Sequence, residues 1–263
     1  MNFGKNELEK EYLKYCKLKK IALNTSELDL SNIDWFYPTS ILPLGIFIKE
    51  NPNLSIIPPI DYSVSNYFNL IIKGRWEGSK KSYIPIVEIP TEEHQREKLL
   101  EPLFTNQKKY TGGLNACSYF IGELVDNIYQ HSQFSTSYIM AQKYEKKKYT
   151  EIGIIDNGIS IPGSFEKAGF RMNDLDVLKN VILKGLTTKD DIERGYGLRS
   201  SLKLLTHGLN GSCLIISRES GLTADKQKNI FYKMDKNQMF KGTLISVRIP
   251  YNYSNVNIYD YVE

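Results

Sequence analysis

Residues 122–132 read GELVDNIYQHS, and this stretch decides how the rest of the chain is interpreted. Glu123, Asn127 and His131 recur at every fourth position of a helix predicted over residues 114–131, so they share one stripe of its surface. The amide oxygen of Asn127 is a hard ligand of the kind that Mg²⁺ accepts, and Glu123 is placed to hold and deprotonate a water beside it. The alternative is a solvated polar stripe on an amphipathic helix.

Length and composition limit the classes of protein that this chain belongs to. It has 263 residues, is 41% hydrophobic and carries a formal net charge of +4, which is ordinary for a globular protein and excludes collagenous, mucin-like and wholly disordered chains. The nearly balanced charge gives no electrostatic footprint for a nucleic acid, and the short, scattered lysine clusters suit solvated surfaces. We therefore expect no direct nucleic-acid binding.

The chain also lacks the usual signals for export and membrane insertion. The longest apolar stretch, residues 41–48, is interrupted by Pro43 and Gly45 and is too short to span a bilayer. The N-terminus has no apolar core of a secretory signal, and the three cysteines show no C-x-x-C spacing. These features predict a soluble, reduced, cytoplasmic protein that does not enter a membrane.

The chain changes character near residues 90–113, where the polar loop 105–113, which ends in two glycines, forms a natural boundary. Before it, strands alternate with short helices, which favours a small α/β domain over residues 1–105. After it, the predicted order is a helix, two strands, a helix, a polar loop, a helix and three strands. This order predicts an α+β sandwich over residues 106–252, with helices on one face of a mixed or antiparallel sheet, followed by a tail over residues 253–263.

A second motif, residues 152–162, reads IGIIDNGISIP. An apolar strand ends at Asp156, whose carboxylate is placed to accept a hydrogen bond from an exocyclic amine such as that of adenine. Gly158 follows, and a glycine lets a flat ring approach the backbone closely. The alternative is an ordinary turn, because Asp, Asn and Gly are common turn residues.

Two further segments complete the pattern. Residues 186–201, LTTKDDIERGYGLRSS, form a polar loop whose glycines open a helix, where backbone N–H groups attract an anion. A flexible glycine-containing loop is the alternative, and neither a Walker motif nor G-x-G-x-x-G occurs in the chain. The last predicted strand begins with Gly242 and Thr243, whose hydroxyl is placed to reinforce the Asp156 contact.

In this order the four segments resemble the GHKL superfamily of gyrase-like, chaperone-like, histidine-kinase-like and MutL-like ATPases, whose fold is called the Bergerat fold. The match runs over residues 114–250 through E-x-x-x-N, D-x-G, G-x-G-L and a late Gly-Thr. The resemblance implies that the chain binds ATP and Mg²⁺, with Glu123 as the catalytic residue and Asn127 on the metal. It implies nucleotide contacts from Asp156, Gly158, Ile161, Thr188, Lys189, Gly195, Tyr196, Gly197, Leu198, Arg199 and Thr243.

The chain departs from the family pattern at Ser160, which stands where the family has the second glycine of D-x-G-x-G, although Ile161 and Pro162 continue as in histidine-kinase-like members. A serine fits this position if its φ angle is negative. We therefore expect a negative φ at Ser160 and a slightly narrower base pocket.

The resemblance leaves three kinds of function open. The first is an ATPase or nucleotide-driven switch that acts on a protein partner or within a homodimer. The second is a serine/threonine kinase of the anti-sigma-factor type, which the spacing of residues 123, 127 and 131 resembles. Its acceptor would be a STAS-like partner or the chain's own N-terminal half, where residues 28–48 are similar to the strand-turn-helix of STAS domains and Thr39 or Ser40 occupies the acceptor position. The third is a module that binds nucleotide without hydrolysis.

Overall fold

The computed structural model describes residues 7–74, 82–92, 114–188, 197–251 and 255–261. Three of the predicted site residues, Lys189, Gly195 and Tyr196, lie outside the described residues, as does the predicted boundary between residues 105 and 106. The helices are α1 (Glu7–Thr25), α2 (Pro38–Glu50), α3 (Tyr62–Ile72), α4 (Leu114–Asn127), α5 (Ser160–Lys167), α6 (Asp174–Lys184) and α7 (Gly197–Lys203). The strands are β1 (Glu27–Asp29), β2 (Ser55–Ile57), β3 (Tyr83–Glu88), β4 (Ser137–Tyr144), β5 (Tyr149–Asp156), β6 (Ser212–Arg218), β7 (Ser220–Ala224), β8 (Asn229–Lys233) and β9 (Phe240–Pro250).

A seven-stranded sheet forms the centre of the fold, in the order β3-β4-β5-β9-β6-β7-β8. Every neighbouring pair in it is antiparallel, so the protein is α+β as predicted, and the sheet is antiparallel rather than mixed. The only parallel pair among the described residues is the separate one between β1 and β2. Strand β5 lies between β4 and β9 and pairs with both along its whole length, which holds Asp156 firmly at the end of a central strand.

Both faces of this sheet are covered, whereas the sequence predicted helices on one face. Helices α4 to α7 pack on the first face, and α1 to α3 pack on the second. The side chains of β5 alternate accordingly, because successive residues of a strand point to opposite faces. Ile152 and Ile154 lie in the first core and Ile155 lies in the second. Burial of each isoleucine side chain contributes roughly 1.5–3 kcal/mol to the free energy of folding.

The N-terminal region is joined to the same sheet rather than packed apart from it. Strand β3, assigned by the sequence to the N-terminal α/β domain, pairs with β4 as an edge strand of the central sheet. Helix α2 packs against β4 and β5 through Leu42 and Leu44. Residues 7–74 and 82–92 therefore form one face and one edge of the structure that holds the site.

Three elements escaped the sequence prediction: α1, α5 and β7. Helix α1 is rich in charged residues, and its buried side chains include Leu8, Tyr12 and Tyr15. Helix α5 carries Pro162 and a glycine near its start. Strand β7 follows β6 through a turn without glycine, because Arg218 adopts a left-handed φ of 52°.

The apolar residues Ile56 and Ile57 predict a buried strand, but β2 is exposed.

Residues 255–261 pack against the first core through Val256, Ile258 and Tyr261. No helix of the described residues has both the length and the apolar character needed to cross a membrane.

Candidate functional site

A cavity of about 600 Å³ opens between α4 and the ends of the central strands, bounded by α5, the end of α6 and the start of α7. All but one of the described residues predicted for the site line it. They are Glu123, Asn127, Asp156, Ile161, Thr188, Gly197, Leu198, Arg199 and Thr243. The exception is Gly158. Segments far apart in the sequence thus meet at one place.

Asp156 lies at the floor of this cavity, and only 4% of its surface is exposed. Its Oδ1 accepts a hydrogen bond of 2.8 Å from the backbone N–H of Gly158. Burial raises the pKa of Asp156 to about 6, against the lowering effect of the hydrogen bond from the backbone N–H of Gly158. No lysine or arginine of the described residues forms an ion pair with it. Asp156 is therefore a buried carboxylate that the described residues leave without a cation.

Gly158 lies against the backbone of Ser132. A Cβ atom at this position would overlap the carbonyl of Ser132, and the N–H of Ile159 donates to that same carbonyl at 2.6 Å. The glycine is thus required by the close approach of two backbone segments. Its contact with the flat ring of a ligand stays a prediction.

Helix α4 presents Asn127 to the cavity in a fixed orientation. The Nδ2 of Asn127 donates to the backbone carbonyl of Glu123 at 2.7 Å, one turn earlier. This bond uses one amide hydrogen and leaves the side-chain oxygen to accept from, or coordinate, a ligand. The helix then continues as a π-helical turn, Ile128–Ser132, a distortion that is frequent at functional sites.

His131 connects this turn to the loop that follows α6. Its Nδ1 lies 3.4 Å from the Oγ1 of Thr188, a residue of the predicted polar loop. The histidine predicted as a stripe residue of α4 therefore lines the cavity and contacts the loop.

Two basic side chains line the cavity where α6 ends and α7 begins. Helix α6 ends at Gly185, which has a left-handed φ of 68°, and the side chain of Arg199 lies over this glycine. Lys184 also lines the cavity. The sequence analysis missed Lys184, because a lysine in the last turn of a helix is commonly explained by the helix dipole alone.

Ser160 differs from the expectation. Its φ is +73°, not negative, so it adopts the left-handed conformation that favours glycine. Its Oγ accepts a hydrogen bond of 3.1 Å from the N–H of Gly163, within the first turn of α5. One hydrogen bond contributes about 1 kcal/mol to stability, which offsets part of a left-handed cost of about 1–2 kcal/mol. The hydroxyl of Ser160 therefore compensates in part for its strained backbone.

Thr39 and Ser40, the predicted phosphate acceptors, are inaccessible in this structure. Thr39 is fully buried, and its Oγ1 donates to Glu151 at 2.7 Å. Ser40 is 3% exposed and its Oγ donates to Glu11 at 3.1 Å. Both lie on the face of the sheet opposite the cavity, within the second core.

No protein-family model matches this chain, and no curated protein sequence is detectably similar to it. The chemistry of the site therefore has to be argued from the residues that form it.

Proposed function

We propose that this protein binds Mg-ATP in the cavity, as a divergent member of the GHKL superfamily with a Bergerat-type fold. It hydrolyses the nucleotide or uses it as a conformational switch that controls a protein partner or a second copy of the chain. The observation that supports this most is the convergence of four separate segments, from Glu123 to Thr243, on one cavity. A volume of about 600 Å³ lies in the usual range for small-molecule sites.

The base-binding role falls to Asp156 and Thr243. They are directly paired across β5 and β9, and both line the cavity. Burial of a carboxylate costs free energy, and a hydrogen-bond donor offsets that cost. The exocyclic amine of adenine is such a donor. The absence of a cation beside Asp156 among the described residues suits an uncharged base better than a phosphate.

We assign the phosphate and metal roles to other residues that line the cavity. Arg199 and Lys184 would supply positive charge, and Asn127 would supply a neutral oxygen. Across the described residues, no three acidic, histidine or cysteine side chains cluster as a metal site. A Mg²⁺ ion held mainly by phosphate oxygens and water needs few protein ligands, and when bound it neutralises phosphate charge. Glu123 lines the same cavity and would accept a proton from water.

The kinase alternative needs a separate acceptor protein. Thr39 and Ser40 are buried behind the sheet, so transfer to the chain's own N-terminal half would require that half to detach. The non-hydrolysing alternative leaves Glu123 without a role in the cavity, which is why we place it third.

Incubation of the pure protein with γ-labelled ATP separates these alternatives. Released phosphate indicates an ATPase, label transferred to an added protein indicates a kinase, and binding with neither indicates a module. We expect Glu123→Ala to keep nucleotide binding and to lose turnover by a factor of about 100 or more. Glu166→Ala is the matched control, because Glu166 is an exposed acid paired with Arg218 at 2.8 Å. Equal turnover in Glu123→Ala and in this control would remove Glu123 from the mechanism.

A further inference from the structure

The floor of the cavity continues as a row of small polar residues across the sheet. Residue by residue, the strand register aligns Ser137, Asp156, Thr243, Ser217 and Ser220 on neighbouring strands. All five are buried, with exposed fractions between 0 and 7%. We call them the polar row. The sequence analysis found only Asp156 and Thr243, because register between distant strands is not visible in a single sequence.

Ser217 is the member of the polar row that joins the base-binding residues to α5. Its Oγ accepts a hydrogen bond of 2.9 Å from the N–H of Ile161, in the first turn of α5. The same Oγ lies 3.0 Å from the Oγ1 of Thr243 and 3.5 Å from the carbonyl of Gly242. Ile161 and Thr243 both line the cavity, whereas Ser217 does not.

A serine hydroxyl has a single hydrogen to donate, and that of Ser217 has two acceptors within reach. The contact with Thr243 is of normal hydrogen-bond length and either hydroxyl can be its donor, whereas the contact with the carbonyl of Gly242 lies at the limit. When Ser217 donates to Thr243, the hydrogen of Thr243 is directed elsewhere and is available to a ligand. Thr243 then offers a donor beside Asp156, which offers an acceptor.

We propose that Ser217 is a positioning residue for the base of the bound nucleotide, a role that rests on the proposed function above. By donating to Thr243 and accepting from Ile161, it sets the direction of the Thr243 hydroxyl and the place of the first turn of α5. The resulting donor and acceptor pair matches the edge of adenine, which carries a ring nitrogen acceptor next to an amine donor. The edge of hypoxanthine carries the reverse pattern.

The test is a set of calorimetric titrations with Mg-ADP and Mg-IDP. We expect Ser217→Ala to weaken ADP binding about fivefold to tenfold, the effect of one hydrogen bond. It should change IDP binding by less than about twofold. In a Thr243→Ala background the same substitution should lose most of its effect on ADP, because Ser217 acts through Thr243.

Ser220→Ala is the matched control. Ser220 is equally buried, belongs to the polar row and donates to the carbonyl of Ser217 at 2.7 Å, but no bond joins it to Thr243. Thermal unfolding of each variant shows that the protein is folded at the temperature of titration.

The outcomes separate the two proposals. Wild-type protein that binds neither nucleotide overturns the proposed function and this inference with it. Wild-type protein that binds ADP, with Ser217→Ala binding it equally well, overturns only the role of Ser217. Equal losses for ADP and IDP, additive with Thr243→Ala, would show that Ser217 only maintains the fold and would also overturn the positioning role.

Discussion

Two buried acids on strand β5 face opposite sides of the sheet, and the structure treats them differently. Glu151 is fully buried in the second face, where it accepts from Arg248 at 2.8 Å and from Thr39 at 2.7 Å. Asp156, 4% exposed, accepts from the backbone N–H of Gly158 at 2.8 Å and pairs with no lysine or arginine of the described residues. The charge of Glu151 is therefore neutralised within the described structure, whereas that of Asp156 is not.

The surroundings of Arg248 show how fully the buried charges of Glu151 and Arg248 are compensated. Its guanidinium lies 5.3 Å from the ring centroid of Tyr37 and 4.9 Å from that of Tyr149, and it also bonds Glu7. Burial alone would lower the pKa of Arg248, but the carboxylate of Glu151 outweighs this effect and raises it. An acid with such partners stabilises a fold, whereas an acid without them is a candidate for binding.

The largest expected effect on stability comes from breaking the buried ion pair between Arg248 and Glu151. Arg248→Ala leaves the carboxylate of Glu151 buried without its cation, so we expect the free energy of unfolding to fall by about 3–5 kcal/mol. Urea denaturation followed by circular dichroism measures this. Arg218→Ala, which removes a more exposed ion pair, should cost no more than about 1 kcal/mol. Equal losses in the two variants would contradict the view that the buried ion pair of Arg248 contributes more to stability than the exposed one of Arg218.

A smaller effect of opposite sign is expected at Asp156. The pKa of this carboxyl is raised from 3.8 to about 6, so its contribution to stability is fully present below pH 3.8 and is lost as the pH rises to about 6. At pH 7 the charged form therefore destabilises the protein by up to about 3 kcal/mol.

Asp156→Asn removes that charge, and we expect it to raise the free energy of unfolding at pH 7 by about 1–3 kcal/mol. The gain should shrink as the pH falls towards 4. Urea denaturation of wild type and variant at several pH values measures the difference. A variant that is less stable than wild type at pH 7 would show that Asp156 has a structural role.

The smallest effects are expected at Ser160. Ser160→Gly relieves the left-handed conformation but removes the hydrogen bond of the hydroxyl to Gly163, so the free energy of unfolding should change by less than about 1 kcal/mol. Ser160→Ala removes the same hydrogen bond but keeps the strained φ, and should be about 1 kcal/mol less stable than the glycine variant. Denaturation of both variants checks the order. An alanine variant as stable as the glycine variant would mean that the left-handed φ at this position costs little.

Much of this arrangement was predictable from local sequence. Strand β5 ends at Asp156 as predicted, and α6 carries local signals at both ends, the Asn173 side chain that caps its start and Gly185 after its last turn. Strong periodicity and caps are local signals, and so are the four motifs that line the cavity.

The remainder depends on long-range packing. The pairing of β3 with β4 and the packing of α1 on the second face leave no local trace, because each depends on partners far along the chain. For the same reason Ser217 looks like any strand serine until Thr243 is placed beside it. The left-handed φ of Ser160 is likewise set by the turn that follows Asp156, not by the preference of serine.

The most direct test of the central claim is a calorimetric titration of Mg-ATP into wild-type protein and Asp156→Asn at pH 7.5. We predict that the wild type binds one nucleotide per chain and that the variant, although folded and at least as stable, binds at least about 100-fold more weakly. This loss corresponds to about 3 kcal/mol, a reasonable value for a hydrogen bond to a charged, buried group. Equal affinity in the two proteins, or no binding by the wild type, would contradict the account.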